Sequence, residues 1–383
     1  MKNRLLDFGS HLLVAVLSTI VTLVMVHVQG GGLVPSKLEQ LETLIEDRFI
    51  GEAESEALED AAAEAMVKAT GDRWSYYIPA TEYEAYRERM DNAYVGVGIT
   101  IQPEAEQGFR IVDVAVGGPA GEAGLQVKDL LVKVAGQDIR EMDVSQVRDL
   151  VKGKTGTYVE LTVLRQEEEL TLSVERRKVE TPVANCQMLE DNVGLITIEN
   201  FDSRCAEESI VAIGALREQG AEKLIFDVRH NPGGFADELV DLLDYLLPEG
   251  DLFRTVRYDG KENVDKSDAD FLDMPMAVLV NSGSYSAAEF FAAALREYEA
   301  AIVVGEQTVG KGYLQTTYRL QDGSAVSLSI GKYFTPKGVS LAETGVTPDV
   351  VISLDEATAA ELYYGTLEPK DDPQIQAAID AMK

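Results

Sequence analysis

The chain has 383 residues, 45% hydrophobic and 26% charged, which excludes a disordered chain and is long enough for two or three domains. Asp and Glu outnumber Lys and Arg by 66 to 34, a formal net charge of −32, and such a field repels nucleic acid, so no nucleic-acid partner is expected. Two cysteines, Cys186 and Cys205, make no disulfide framework and no zinc site and are read as buried, unpaired thiols; of three histidines only His230 lies beyond residue 28, so no multi-histidine metal centre is expected there.

Residues 12–28 read LLVAVLSTIVTLVMVHV, with no Asp, Glu, Lys or Arg, near the lower length limit for a spanning helix. Lys2 and Arg4 precede the run and acidic residues dominate after Lys37, so the bulk of the chain is expected outside the cytoplasm. A cleaved signal peptide is the alternative, but the following VQGGGLVPS has no clean A-x-A site. The expectation is an uncleaved signal anchor: a single-pass protein of the cell membrane in a bacterial envelope, its membrane contact made by this N-terminal helix.

Gly30-Gly31-Gly32 breaks the chain. Leu38, Leu41, Leu44, Ile45 and Phe49 then recur at helical spacing, and a second helix is expected over 54–69, ended by Gly71. The two apolar stripes serve either as core or as a dimer contact, which leaves a homodimer open; core is the expectation. Residues 94–179 change character. YVGVGITI, FRIVDVAV, DLLVKVAG, YVELTVLR and LTLSVERR read as short strands separated by Gly-bearing turns, with one helix at VSQVRDLVKG. From 180 to 354 strands alternate with helices: VGLITI, a helix capped by Asp202-Ser203, LIFDVR, a helix stopped by Pro248, MAVLVN, a helix from Ser286, and AIVVG. That alternation implies an α/β core with a largely parallel sheet. The tail, 355–383, reads as helical and is broken by Asp371-Asp372-Pro373. The expected segments are therefore 1–32 (stub, anchor and linker), 33–93 (helical), 94–179 (β-rich), 180–354 (α/β core) and 355–383 (helical tail).

Three stretches carry chemistry. In VLVNSGSYSAAEFFAAAL a buried strand enters a polar turn and Ser286 opens an apolar helix. Free backbone N–H groups and the positive dipole end there favour an alkoxide and the oxyanion it creates, although a serine at that place also serves simply as a cap. Ser282 and Ser284 share the turn. Lys311 follows in VVGEQTVGKGYLQ, with a strand between that can return the chain to the same sheet edge. A lysine acts as a base only where an apolar setting disfavours its ammonium form; otherwise it is a solvated surface residue. Gln315, four residues on, is placed to orient the amine. The third stretch, DVRHNPGG over 227–234, turns sharply at Pro-Gly-Gly and exposes backbone N–H groups; it is either one arm of an oxyanion hole or a plain strand-to-helix turn.

The order DVRHNPGG, VLVNSGSYSAAE, VGEQTVGKGYLQ and YFTPKGVSL…GVTPDVVI resembles the carboxyl-terminal processing, or tail-specific, serine peptidases. DRWSYYIPATEYEAY fits as well, and the YVGVGITI module is similar to a PDZ domain. The resemblance covers roughly residues 38–354. It implies a crotonase/ClpP-like α/β peptidase core with an inserted PDZ domain and an N-terminal helical segment. It further implies a Ser–Lys mechanism without histidine: Ser286 as nucleophile, Lys311 as base, Gln315 as the amide that orients it. The oxyanion hole falls to backbone N–H of Gly233 or Gly234 and of Ala287. The loop Tyr94-Val95-Gly96-Val97-Gly98-Ile99 would receive a substrate's C-terminal carboxylate. The implied partners are protein or peptide substrates with free C-termini, cleaved outside the cytoplasm, and no metal or cofactor is called for. Two residues depart from the family pattern: Tyr285 stands where a small residue precedes the nucleophile, and His230 where Asn is common. The alternatives are a membrane-anchored, non-catalytic PDZ binding protein on a degenerate scaffold and a crotonase-type acyl enzyme.

Overall fold

The structure, a computed structural model, describes residues 35–105 and 107–383. The chain divides into two compact units, one ending at Pro79 and the other running from Ala80 to Lys383.

In the first unit α1 (Lys37–Arg48) begins at a reciprocal cap: Glu39 N–H donates to Ser36 Oγ, and Ser36 N–H to the Glu39 carboxylate. It is followed by α2 (Ser55–Lys68) and β1 (Tyr76–Ile78). Neither helix buries a residue. Leu38, Leu41, Leu44, Phe49 and Met66 are all exposed, which corrects the expectation that the stripes are core.

The second unit begins with α3 (Ala80–Met90) and β2 (Ala93–Gly96). Then come β3 (Ile99–Glu104), β4 (Gly108–Val114), α4 (Pro119–Glu122), β5 (Leu130–Val134), β6 (Gln137–Asp138), α5 (Val144–Val151), β7 (Tyr158–Arg165) and β8 (Glu168–Glu175). β3-β4-β5-β7-β8 form an antiparallel sheet with β6 beside β5, around a core that includes Phe109, Ile111, Leu131, Leu161 and Val163. β3 lies at one edge of this sheet. YVGVGITI is therefore two strands, not one. Its first half, β2, pairs antiparallel with β9 (Arg177–Glu180), so the strands entering and leaving the small module form one ribbon.

The α/β core continues with β10 (Ala184–Met188), β11 (Val193–Ile198), α6 (Cys205–Glu218), β12 (Lys223–Asp227) and α7 (Ala236–Leu246). Next are β13 (Gly250–Arg257), β14 (Glu262–Ser267), β15 (Met276–Val280), α8 (Ala287–Glu297), β16 (Ala301–Gly305), β17 (Tyr313–Arg319), β18 (Ala325–Phe334), β19 (Val350–Val351), α9 (Glu356–Tyr363) and α10 (Pro373–Ala381). The main sheet has the order β10-β11-β12-β15-β16-β19 and is parallel from β11 onward. Its central strands are buried on both faces, which is why LIF and MAVLV read as unbroken apolar runs. Leu224, Phe226, Met276, Val278 and Val280 enter one core with α6, α7 and α8; Ile225, Ala277 and Leu279 enter the other with Ile375 and Ala378 of α10. A second, antiparallel array, β17-β18-β13-β14, was not expected from the alternation of strands and helices.

Other details also depart from the sequence reading. Cys186 is exposed rather than buried, while Cys205 is buried and free. Asp202 does not cap α6 through its side chain; the Glu238 carboxylate on α7 accepts from Arg204 N and Ala206 N at 2.9 Å each instead. Among the described residues no helix is long and apolar enough to cross a membrane, and residues 12–28 lie outside them. This corrects the expectation of a single-pass membrane protein with its catalytic part outside the cytoplasm: the described chain carries no spanning helix.

The tail is tied into the core by charge. Arg229, buried just past β12, meets Asp227 at 2.5 Å and Asp372 at 2.7 Å and donates to Gln374 Oε1 at 2.8 Å. Asp372 also caps α10, accepting from Gln374 N at 2.8 Å. Removing Asp372 takes one of two carboxylates from a buried guanidinium and the cap from α10. We expect Asp372→Ala to cost about 3 kcal/mol of unfolding free energy in urea titrations; a variant as stable as the parent would show that the network is not what holds α10.

Candidate active site

The candidate residues gather because β12, β15 and β16 are neighbours in one parallel sheet, and their C-terminal ends release the three loops on the same side. β12 leads into 228–235, β15 into 281–286 and α8, and β16 into 306–312.

Ser286 is the residue before α8 and has φ 59° and ψ −121°, a conformation that L-residues rarely adopt. Its turn is held by neighbours. Ser284, fully buried, donates to Val228 O at 2.7 Å and accepts from Asn281 N at 3.0 Å, so its hydroxyl serves the turn. Tyr285 N–H donates to Asn231 O at 3.1 Å. Ser282 is exposed at the tip. His230 is turned to Asn281, its Nε2 2.9 Å from Asn281 Nδ2, and its ring lies edge-on to Tyr363. Burial, then the Arg229 guanidinium, lower its pKa.

The Pro-Gly-Gly turn lies directly against the nucleophile turn. A Cβ on Gly233 (φ 87°) would sit 2.7 Å from Ser286 Cβ and 2.8 Å from Ala287 N, so only glycine fits. The Gly233 N–H donates to Asn231 Oδ1 at 2.8 Å and is thereby engaged. Gly234, the other glycine of the turn, is exposed and bridges Phe201. Ala287 is the first residue of α8.

The lysine loop reaches the serine through one carboxylate. Glu289, fully buried on the first turn of α8, accepts from Ser286 N at 3.0 Å, Gly310 N at 2.6 Å and Lys311 N at 2.9 Å. The Thr308 hydroxyl also donates to it. Segment 342–345 packs so closely that a Cβ on Gly310 or Gly312 would fall within 3 Å of its backbone, which explains the glycines on both sides of Lys311. Lys311 is half-buried, with Nζ 5.8 Å from the centroid of the Tyr285 ring. Gln315 donates to Ser329 Oγ at 3.1 Å across the β17–β18 pair.

Two residues of this site were missed by the sequence reading. Glu289 stands three residues after Ser286, the serine-to-glutamate spacing of a capping box, a signal available in the sequence. Tyr333 of β18 had no local signal. It is buried, and its hydroxyl donates to Lys311 O. Burial, then the Glu289 carboxylate, push its phenol pKa far up, and a hydrogen bond with Ser286 opposes them. Among the described residues, no cluster of His, Cys, Asp and Glu could hold a metal ion.

In the small module, Tyr94, Val95 and Gly96 lie in the β2–β9 ribbon, and Val95 N–H donates to Glu88 Oε1 at 3.1 Å. Val97 is buried, Gly98 has φ 76° and Ile99 opens edge strand β3.

Residues 192–352 match Peptidase family S41, and residues 110–165 match the PDZ domain. A "probable CtpA-like serine protease" of Staphylococcus epidermidis is 32% identical over 359 residues, covering 91% of this chain and 72% of that protein. The chain belongs to the carboxyl-terminal processing serine peptidases of family S41. A relative of the same description from Staphylococcus aureus strain N315 is 31% identical over 381 residues, covering 96% of this chain and 76% of its own. The solved structure of a protein described as an S41 protease from Bacteroides fragilis shares the fold at 16% identity and TM-score 0.51, covering 91% of this chain and 97% of that one. The peptidase thus combines a mixed α/β core with a PDZ domain.

Glu289→Gln keeps the shape but sets an NH2 group among N–H donors. We expect a stability loss of about 2 kcal/mol and a fall in kcat of at least about tenfold, read by thermal unfolding and peptide hydrolysis. A stable variant with unchanged kcat would show that the carboxylate does not hold the two loops in register.

Proposed function

We propose that this S41 peptidase cleaves protein or peptide substrates, recognised by their C-termini, through a Ser286–Lys311 pair. The observation that carries the reading is the Glu289 carboxylate, which binds the backbone N–H of both residues at once. Neutral Lys311 takes the Ser286 proton as the alkoxide attacks the substrate carbonyl. The Ala287 and Gly234 amides stabilise the oxyanion; Gly233 is the weaker candidate because its N–H is spent on Asn231. Lys311 then protonates the leaving amine, and water resolves the acyl-enzyme. Gln315 acts one step removed, fixing Ser329 and the strand that follows the lysine. Tyr333 steadies the lysine loop from its carbonyl side.

The repeated strand–helix units of the parallel sheet favour a crotonase/ClpP-like description of the core. The segment boundaries 33–93, 94–179, 180–354 and 355–383 go with this reading. In the PDZ domain the free edge of β3 beside α5 suits an added peptide strand, and the Val97-Gly98-Ile99 backbone suits its carboxylate. Tyr94, Val95 and Gly96 then support that loop from the ribbon.

Ser286→Ala and Lys311→Ala should each lower hydrolysis of a denatured protein by at least about 10⁴-fold, whereas Ser284→Ala should lose stability and keep activity within about tenfold. Equal proteolysis by all three and the parent would refute the pair. For recognition, a peptide with a C-terminal amide should show a higher KM than its free acid, because the amide carries no charge for the loop amides to bind. Equal KM values would remove the carboxylate from the recognition step.

A further inference from the structure

Behind the oxyanion turn lies a buried acid that the mechanism does not use. Asp202 is 5% exposed, and its Oδ1 has no hydrogen-bond partner. The segment that carries it lies against the turn: the neighbouring Phe201 donates its N–H to Gly233 O at 2.9 Å and accepts from Phe235 N–H at 2.7 Å, and a Cβ on Gly234 would sit 2.5 Å from Asp202 N. Gly233 in turn abuts Ser286 and Ala287. Asp202 is thus one layer of backbone away from the nucleophile. A buried polar atom left unpaired is costly, and such exceptions concentrate where chemistry is tuned.

Four titratable or charged groups face it. Glu238 comes from α7, Arg89 from α3, Cys205 from the start of α6 and Tyr285 from the nucleophile turn. Glu238 is fixed in place by the Arg204 and Ala206 amides, and Arg204 is paired with Glu208. Burial and then the Glu238 carboxylate push the Asp202 pKa up to about 7, while Arg89 pulls the other way. Below that pH the side chain is a neutral acid; above it, a carboxylate in poor solvent contact. Tyr285, adjacent to Ser286, feels its charge.

We propose that Asp202 is an electrostatic positioning residue for the oxyanion turn, leaving the Gly234 and Ala287 amides at full strength when neutral and opposing the developing oxyanion when ionised. The inference rests on the reading of those amides as oxyanion donors. The sign follows from like-charge repulsion across a low-dielectric layer. The working state is the protonated one, so ionisation lowers kcat without removing any group that touches substrate.

The test compares pH profiles of kcat/KM for the full chain and for Asp202→Asn, between about pH 5.5 and 9. Both share the acid limb set by the base, so their ratio isolates Asp202. We expect the ratio of variant to parent to be level at low pH, rise roughly three- to tenfold through neutrality and level again. A merely structural role would scale activity equally at every pH. Glu238→Gln removes the neighbouring negative charge and should move the parent's alkaline decline to lower pH. A pH-independent ratio, with Ser286→Ala inactive, overturns the inference and leaves the catalytic pair standing. If Ser286→Ala stays active, the underlying reading fails, and the inference with it. Should Asp202→Asn not fold, the Glu238→Gln profile decides, and an unmoved decline overturns the proposal.

Discussion

The site is organised around one buried carboxylate. Glu289 is fully buried, N–H and O–H donors converge on it, and those donors belong to the two segments that must meet. A helix N-terminus needs acceptors for its first amides, and a side chain of α8 supplies one of them to Ser286 itself. The same oxygens take the Gly310 and Lys311 amides. Serine and lysine are brought into register by backbone hydrogen bonds to that carboxylate.

The parallel sheet makes that convergence affordable in space. Three adjacent strands end on one side, and each releases a different part of the machinery: turn, nucleophile and base. Their apolar faces are filled on both sides, by α6, α7 and α8 on one and by α10 on the other. The buried cluster of Arg229, Asp227, Asp372 and Gln374 connects that tail helix to the very strand end that carries the Pro-Gly-Gly turn. The C-terminal residues thus brace the site from behind although none of them lies in it.

Glycine sets the tolerances. Gly233 must allow Ser286 and Ala287 within van der Waals contact of its backbone, and Gly310 and Gly312 must admit the 342–345 segment on either side of the lysine. The serine turn pays in strained backbone for what the glycines give in room, with Ser286 held at positive φ by the bonds of Ser284, Tyr285 and Glu289 around it.

Much of this was legible in the chain itself. Alternating apolar runs announced the α/β core, and the ordered Asn-Pro-Gly-Gly, Asn-Ser-Gly-Ser-Tyr-Ser and Gly-Lys-Gly segments marked the three loops, because strand burial and glycine requirements are local and leave local traces. The helices α1 and α2 formed as their periodicity required, but whether their stripes were covered depended on neighbours the periodicity does not name. The same limit hid Tyr333 and Asp202. Neither carries a motif; each gains its role because β18 and the 201–202 segment fold back against loops distant in sequence. The sequence by itself determined which residues could do chemistry and which elements would carry them. Only the tertiary structure decided that Gly233's amide is already engaged, that His230 faces Asn281, and that one glutamate joins serine to lysine, since a hydrogen bond between separated segments is fixed by three-dimensional packing and not by spacing along the chain.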